Sequence, residues 1–360
     1  MANDTILVRI SGKDGPGITA GLLDILSVGG AEVFDMEQVV VRGRLTLDLL
    51  VGLSTEHQTL KDLLFFGWQR GIDIEFDVVD EQPARPGTRY AVTILAPDLA
   101  ADALAAATAA IAGAGGNIDR ILRLSNYPVM SYEFIVSGAD FELLRAELLS
   151  ASQAFRLDVA VQPEGLQRRA KRLVVLDVDS TLIQNEVIDL LAEEAGNQQQ
   201  VEAITDRAMG GEIDFETALR NRVELLRGLD AAALDRVANR ISMTPGARTF
   251  VRTLRRLGYE VALVSGGFDV FVERLATELN IDHTYANRLE IEDGVVTGKL
   301  DGPIVDRAGK AAVLRKVASE RGIPLEQTVA VGDGANDLDM LSAAGLGIAF
   351  NAQPVVRDAA

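Results

Sequence analysis

Two aspartates, Asp177 and Asp179, stand in the run Asp177-Val178-Asp179-Ser180-Thr181. The residues before them, Lys171-Arg172-Leu173-Val174-Val175-Leu176, turn from basic to apolar, as a strand entering a buried parallel sheet does. Such sheets present their ligands at the carboxyl ends of strands. Residues two apart on an extended segment point the same way. Two like charges so placed repel unless a cation or a shared proton offsets them. The pair therefore suits a carboxylate nucleophile beside a carboxylic acid, with a divalent metal between. An acidic pair can also cap a helix or sit in a solvated turn, so the rest of the chain has to decide.

Three later segments supply the missing chemistry. Residues 261–267, Val-Ala-Leu-Val-Ser-Gly-Gly, read as an apolar strand ending in a hydroxyl and two glycines. Lys310 follows a glycine in a short helical stretch, residues 307–317. Residues 328–337, Thr-Val-Ala-Val-Gly-Asp-Gly-Ala-Asn-Asp, read as another strand ending in an acidic, glycine-rich turn. Phosphoryl transfer needs these parts: a nucleophile, metal-binding carboxylates, a hydroxyl and N–H groups for the phosphate oxygens, and one cation.

Taken together, DxDST, SGGF, Lys310 and GDGxND resemble the haloacid dehalogenase superfamily of phosphatases, and within it the branch that acts on O-phospho-L-serine. The motifs occur in family order, and the resemblance covers residues 170–352. It implies that Asp177 is the nucleophile, forming an aspartyl phosphate, and that Asp179 is first acid and then base. It implies Mg2+ held by Asp177, the main-chain carbonyl of Asp179, and Asp333, with Asp337 in support. Ser265, the Gly266 N–H and Lys310 would hold phosphate oxygens, and Asn336 would orient the phosphate or Asp179. Matching residues for the amino-acid end are Glu186 for the ammonium and Arg222 for the carboxylate. Gly267 and Phe268 would form the floor, and Met209 and Phe215 an apolar lid. Taken alone, Met209 and Phe215 also read as core, and Glu186 and Arg222 as solvated helix charges. Two rivals stay open: a related phosphatase for another small ester, and a metabolite-sensing protein with a vestigial phosphatase half.

The elements that must position these residues form an α/β, Rossmann-like parallel-sheet core over residues 170–360. A helical cap, about residues 186–243, is inserted after the first strand. Before it lie two βαββαβ units, residues 1–82 and 87–164, joined by a Pro-rich linker; this is the ferredoxin-like split motif. The segment Gly12-Lys13-Asp14-Gly15-Pro16-Gly17-Ile18 resembles the opening of an ACT domain, a module that senses small metabolites. The resemblance implies an effector site at Asp14, Gly15, Gly17 and Ile18, with Gly116, Asn117 and Ile118 of the second unit as its other wall. L-serine, the product, is the expected effector, and a homodimer the expected assembly. The units also read as purely structural dimer formers. A two-stranded excursion is expected at residues 289–291 and 295–300.

Composition narrows the classes further. The 360 residues carry no Cys, which excludes disulfides, thiol catalysis and cysteine-held zinc. The two histidines, His57 and His283, stand far apart and near no nucleophile-elbow motif. With 53 acidic against 35 basic residues, net charge −18, nucleic acid is not an expected partner. An anionic substrate then needs local cations, which points again to Lys310, Arg222 and a metal. No membrane-length apolar run and no signal-peptide pattern is found, so the chain reads as cytoplasmic.

Overall fold

Strand and helix periodicities alternate along the whole chain, and the computed structural model arranges them as three sheets. It describes residues 4–53, 57–79, 88–209, 212–352 and 354–359. The linker around residues 81–87 lies outside them. The chain divides into two compact units, residues 1–87 and 88–360.

In the first unit the order is β1 (Asp4–Lys13), α1 (Ile18–Val28), β2 (Glu32–Val41), β3 (Arg44–Leu53), α2 (His57–Arg70) and β4 (Ile72–Val78). The antiparallel sheet runs β2-β3-β1-β4. Alternation along β1 sends Ile6, Val8 and Ile10 inward, and α1 meets them with Ile18, Leu22 and Leu26, spaced four apart on one face. Gly17, at φ 82°, makes the left-handed turn that opens α1.

The second unit opens with the same plan: β5 (Arg89–Ala96), α3 (Ala101–Gly113), β6 (Asn117–Asn126), β7 (Met130–Ser137), α4 (Phe141–Phe155) and β8 (Asp158–Pro163), with sheet order β6-β7-β5-β8. The inward face of α3 includes Ala103, Ala107 and Ala110, small enough for the helix to lie close on its sheet.

A short helix, α5 (Leu166–Arg169), leads into β9 (Leu173–Asp177). Four helices follow: α6 (Val187–Glu194), α7 (Gln198–Met209), α8 (Phe215–Glu224) and α9 (Ala231–Ala238). The chain then re-enters the sheet through α10 (Ala247–Arg256), β10 (Glu260–Phe268), α11 (Asp269–Leu279), β11 (His283–Glu292) and β12 (Val295–Asp301). It ends with α12 (Arg307–Glu320), β13 (Thr328–Gly332), α13 (Leu338–Ala343), β14 (Gly347–Ala349) and α14 (Pro354–Ala359). Sheet order is β12-β11-β10-β9-β13-β14. β9 is buried along its whole length and pairs in parallel with β10 and β13, so three strand ends converge.

The two-stranded excursion expected at residues 289–291 and 295–300 is present, as the antiparallel pair of β11 and β12. β11 starts beside β10 in parallel, at Ala262↔His283, and the same strand runs on to pair antiparallel with β12. An alternating, half-buried strand carries no mark of where its partner changes.

The second ferredoxin-like module is tied to the connector α5 and to the six-stranded-sheet body by polar contacts. Buried Glu133 on β7 accepts from Arg168 at 2.6 Å and Arg169 at 2.8 Å, both on α5. The Gln162 amide donates to the Gly345 carbonyl at 2.9 Å, and Lys171 to the Glu326 carbonyl at 2.6 Å.

Candidate active site

β9 delivers Asp177 to the end of the sheet, and the chain then turns away through residues 178–182, with Ser180 in the left-handed region at φ 54°. Asp306 caps α12, accepting from the Gly309 N–H at 2.7 Å, so that Lys310 lies in the first turn of that helix. Its ammonium is buried and donates to Asp177 Oδ1 and Asp337 Oδ1, each at 2.7 Å. The turn after β13 adds Asp333, which accepts from Thr181 Oγ1 at 2.9 Å. Carboxylate oxygens of Asp177, Asp333 and Asp337 all lie within 4.8 Å of one another.

Three carboxylates thus face one ammonium. The two carboxylates on Lys310 hold it charged and push its pKa up despite burial. Burial pushes Asp177 well up, even against Lys310, and pushes Asp333 up as well. The cluster carries more negative charge than one lysine offsets, and its donors are all oxygen. Such a set fits a hard divalent cation. Asp337, expected in support, lies beside Asp177 and Asp333 and holds the Lys310 ammonium.

Asp179, close enough for its charge to act on Asp177, has its own partners. Its Oδ1 accepts from the Val187 N–H at 3.0 Å and its Oδ2 from the Ser265 hydroxyl at 3.0 Å. Burial pushes its pKa up, while these two donors pull it down. Ser265 Oγ in turn accepts from the Gly267 N–H at 2.8 Å. A Cβ at Gly267 would stand 2.7 Å from Asp179 Oδ2 and 3.0 Å from Ser265 Oγ, so any larger residue there would displace one of these two side chains.

The helices inserted after β9 bring the remaining residues. Ser180 donates to Glu186 Oε1 at 2.7 Å. The Glu186 carboxyl is raised to about 7 by burial, then by the charges of Asp179 and Asp333, although the residue keeps an exposed edge. Arg222 is lowered by burial and feels the fields of Asp189 and Glu186. Its Nη1 donates to Thr205 Oγ1 at 3.4 Å, and its buried Nε has no partner among the described residues. Phe215 reaches the sheet: a Cβ at Gly266 would meet its ring at 3.4 Å and Asn336 Nδ2 at 3.9 Å. Phe268 is buried in the core beneath. Met209 closes α7, and its side chain lies outside the described residues.

The expected effector residues lie in separate compact units. Asp14 is exposed, its N–H donating to the Gly43 carbonyl at 2.9 Å. Gly15 and Gly17 shape the turn, but Ile18 is packed in the first core, which leaves only its backbone for a ligand. A side chain at Gly116 would collide with Val136 and Ile111, Ile118 packs on its own core, and Asn117 donates to Asp119 at 2.9 Å.

Sequence reasoning passed over two residues near the site. Thr181 was read only as part of the turn, yet it holds Asp333. Asn287, buried on β11, bonds the Gly266 carbonyl; a lone asparagine in an ordinary strand gives no signal. Among the described residues, no helix is long and apolar enough to cross a membrane.

Comparison with known proteins agrees with this layout. A model of haloacid dehalogenase-like hydrolases matches residues 174–342, and ACT-domain models match residues 4–77 and 88–162. The phosphoserine phosphatase of Streptomyces coelicolor is 52% identical over 99% of this chain and 88% of its own length. That of Mycobacterium tuberculosis is 46% identical over 100% of this chain and 90% of its own. A solved phosphoserine phosphatase carrying a phospho-aspartyl intermediate analogue is 45% identical, covering 53% of this chain and 91% of its own, with a TM-score of 0.50. A haloacid dehalogenase family hydrolase from Salmonella enterica is 30% identical and covers 74% of this chain and 92% of its own, with a TM-score of 0.62. With near-full-length identity of this order, the chain belongs to the phosphoserine phosphatase family of haloacid dehalogenase-like hydrolases, in a form that carries two ACT domains.

Proposed function

We propose that the chain hydrolyses O-phospho-L-serine to L-serine and phosphate. The observation that carries this is the division of labour between two neighbouring aspartates: Asp177 on Lys310 and Asp179 on Ser265 and Val187. Asp177 attacks phosphorus, forms an aspartyl phosphate and expels the serine oxygen. Asp179, raised by burial, holds the proton that oxygen needs and then takes one from the attacking water. Ser265, the Gly266 N–H and Lys310 hold the equatorial oxygens, where charge spreads in the transition state. Asn336, close to Gly266, orients the phosphate. Mg2+, held by Asp177, the Asp179 carbonyl and Asp333, would offset phosphate charge, with Asp337 fixing Lys310 beside it. Glu186 takes the substrate ammonium and Arg222 its carboxylate, under Phe215 and Met209, with Gly267 and Phe268 as the floor.

The front half is read as a sensor for L-serine. Glycines free the turn at Asp14–Gly17 for close approach, and the start of α1 offers N–H groups to a carboxylate. β2 leaves Val33, Phe34, Met36, Val39, Val40 and Val41 substantially exposed on an edge strand, a surface that a second chain would cover in a homodimer.

The deciding experiment is phosphate release from O-phospho-L-serine with magnesium. Turnover is expected, and it should vanish in excess chelator. Asp177→Asn should lower kcat by ~10⁴-fold or more while leaving the circular dichroism spectrum unchanged. Near-wild-type turnover in that variant sinks the covalent mechanism. For the sensor, Asp14→Ala should relieve inhibition by L-serine without altering KM; unchanged inhibition removes that reading.

A further inference from the structure

β10 and β11 are in step at Val264↔Tyr285 and again at Phe268↔Asn287, so four residues of β10 pass while two of β11 do. The two surplus residues fall within the Ser265-Gly266-Gly267 loop. A bulge of this kind leaves backbone groups without ladder partners. Asn287 sits at its far end, 1% exposed, and its amide closes the gap in both directions. Nδ2 donates to the Gly266 carbonyl at 2.8 Å, and Oδ1 accepts from the Val305 N–H at 2.8 Å. Val305 directly precedes Asp306, the cap of the helix that carries Lys310.

The Gly266–Gly267 peptide transmits this grip. In a trans peptide the C=O and N–H point in opposite directions. The carbonyl is held by Asn287, and the N–H is aimed at Ser265 Oγ, 2.8 Å away. That bond occupies a lone pair of the hydroxyl, so its proton is directed elsewhere, here to Asp179 Oδ2 at 3.0 Å. Fixing one end of the peptide therefore fixes where the Ser265 hydroxyl points. Resting on the reading of this loop as the phosphate holder, we infer that Asn287 is a positioning residue: through the Gly266–Gly267 peptide it aims the Ser265 hydroxyl, and through Val305 it keeps that loop in step with the helix of Lys310.

A plain core brace would also satisfy two backbone groups, so the test must separate bracing from aiming. Asn287→Asp is nearly isosteric and keeps the acceptor for Val305, but as a carboxylate it has no donor for Gly266. It is made in the full chain, alone and together with Ser265→Ala, and assayed well below its thermal midpoint on O-phospho-L-serine and on p-nitrophenyl phosphate. Alone it should lower kcat about tenfold or more with KM within about threefold, because a misaimed hydroxyl is felt most in the transition state. In the Ser265→Ala background it should cost less than about threefold more, since the group it acts through is gone. A smaller fall in kcat, or losses that multiply in the double variant, overturns the inference. Asn287→Ser, too short to span both partners, is read by the same criteria if the aspartate variant does not fold. Wild-type turnover of O-phospho-L-serine judges the substrate reading separately, and the aryl ester keeps the Asn287 comparison valid should another phosphate ester be the substrate.

Discussion

Each carboxyl at the site is tuned by what surrounds it, and Glu186 shows the cost. Its pKa rises from 4.5 to about 7, first by burial and then by Asp179 and Asp333. A carboxyl raised on folding binds its proton more tightly in the native state. Stability is then full below the unfolded pKa and declines as pH climbs through the interval up to about 7. Allowing for its exposed edge, Glu186→Gln should stabilise the substrate-free protein by about 1 kcal/mol at pH 8 and by almost nothing at pH 4. Urea midpoints at the two pH values check this. The same change should raise KM for O-phospho-L-serine, because the ammonium loses its counter-charge. In the wild type, kcat/KM should fall as pH drops below about 7, where the substrate must displace that proton. A flat profile would mean that Glu186 does not meet the ammonium. Gly267 makes a second case. Gly267→Ala sets a methyl 2.7 Å from Asp179 Oδ2 and should lower kcat by ~10²-fold or more, with the fold retained.

At the scale of elements, the site is a set of strand ends and helix starts. Removing the cap of α12 with Asp306→Ala should cost about 1 kcal/mol, read as a lower thermal midpoint. It should also reduce kcat, because Lys310 sits in the first turn that the cap secures. These elements were legible because each combines a period with a stop signal. Residues 173–177 and 328–332 are apolar runs that end in acid and glycine, and residues 307–317 read as a short helical stretch around Lys310. What stayed hidden depends on partners far along the chain. Nothing in residues 283–292 announces that one strand serves two neighbours, since alternation fixes a face and not a pairing. Asp337 reads as one acid in a turn until folding sets it against Lys310, which follows Asp306 in a different segment. Ile18 shows the converse. Its place in a glycine-rich turn suggested a ligand wall, but it is also the first of the evenly spaced apolar residues of α1, and the core claims it.

Across the whole molecule, the second ferredoxin-like module meets the connector α5 through Glu133. Burial alone would raise this carboxyl, yet Arg168 and Arg169 outweigh it and hold the pKa below the ordinary value. Its contribution to stability is therefore present above the unfolded pKa and lost as the pH falls. Arg168→Met should destabilise the chain by about 3 kcal/mol at pH 7, because it strips the better-buried partner from a buried charge. Adding Glu133→Gln should restore much of that loss. Chemical denaturation of both variants is the check, and equal midpoints for Arg168→Met and wild type would exclude the clamp.

That clamp decides where the protein can be cut and rejoined. Both arginines lie in the connector, after the last strand of the module whose carboxylate they neutralise. A chimera in which residues 1–170 are fused to another catalytic domain carries a complete joint with it. A fusion made five residues earlier transplants a carboxylate with no counter-ion. The connector is inherited with the module, even though what it delivers, within a few residues, is Asp177.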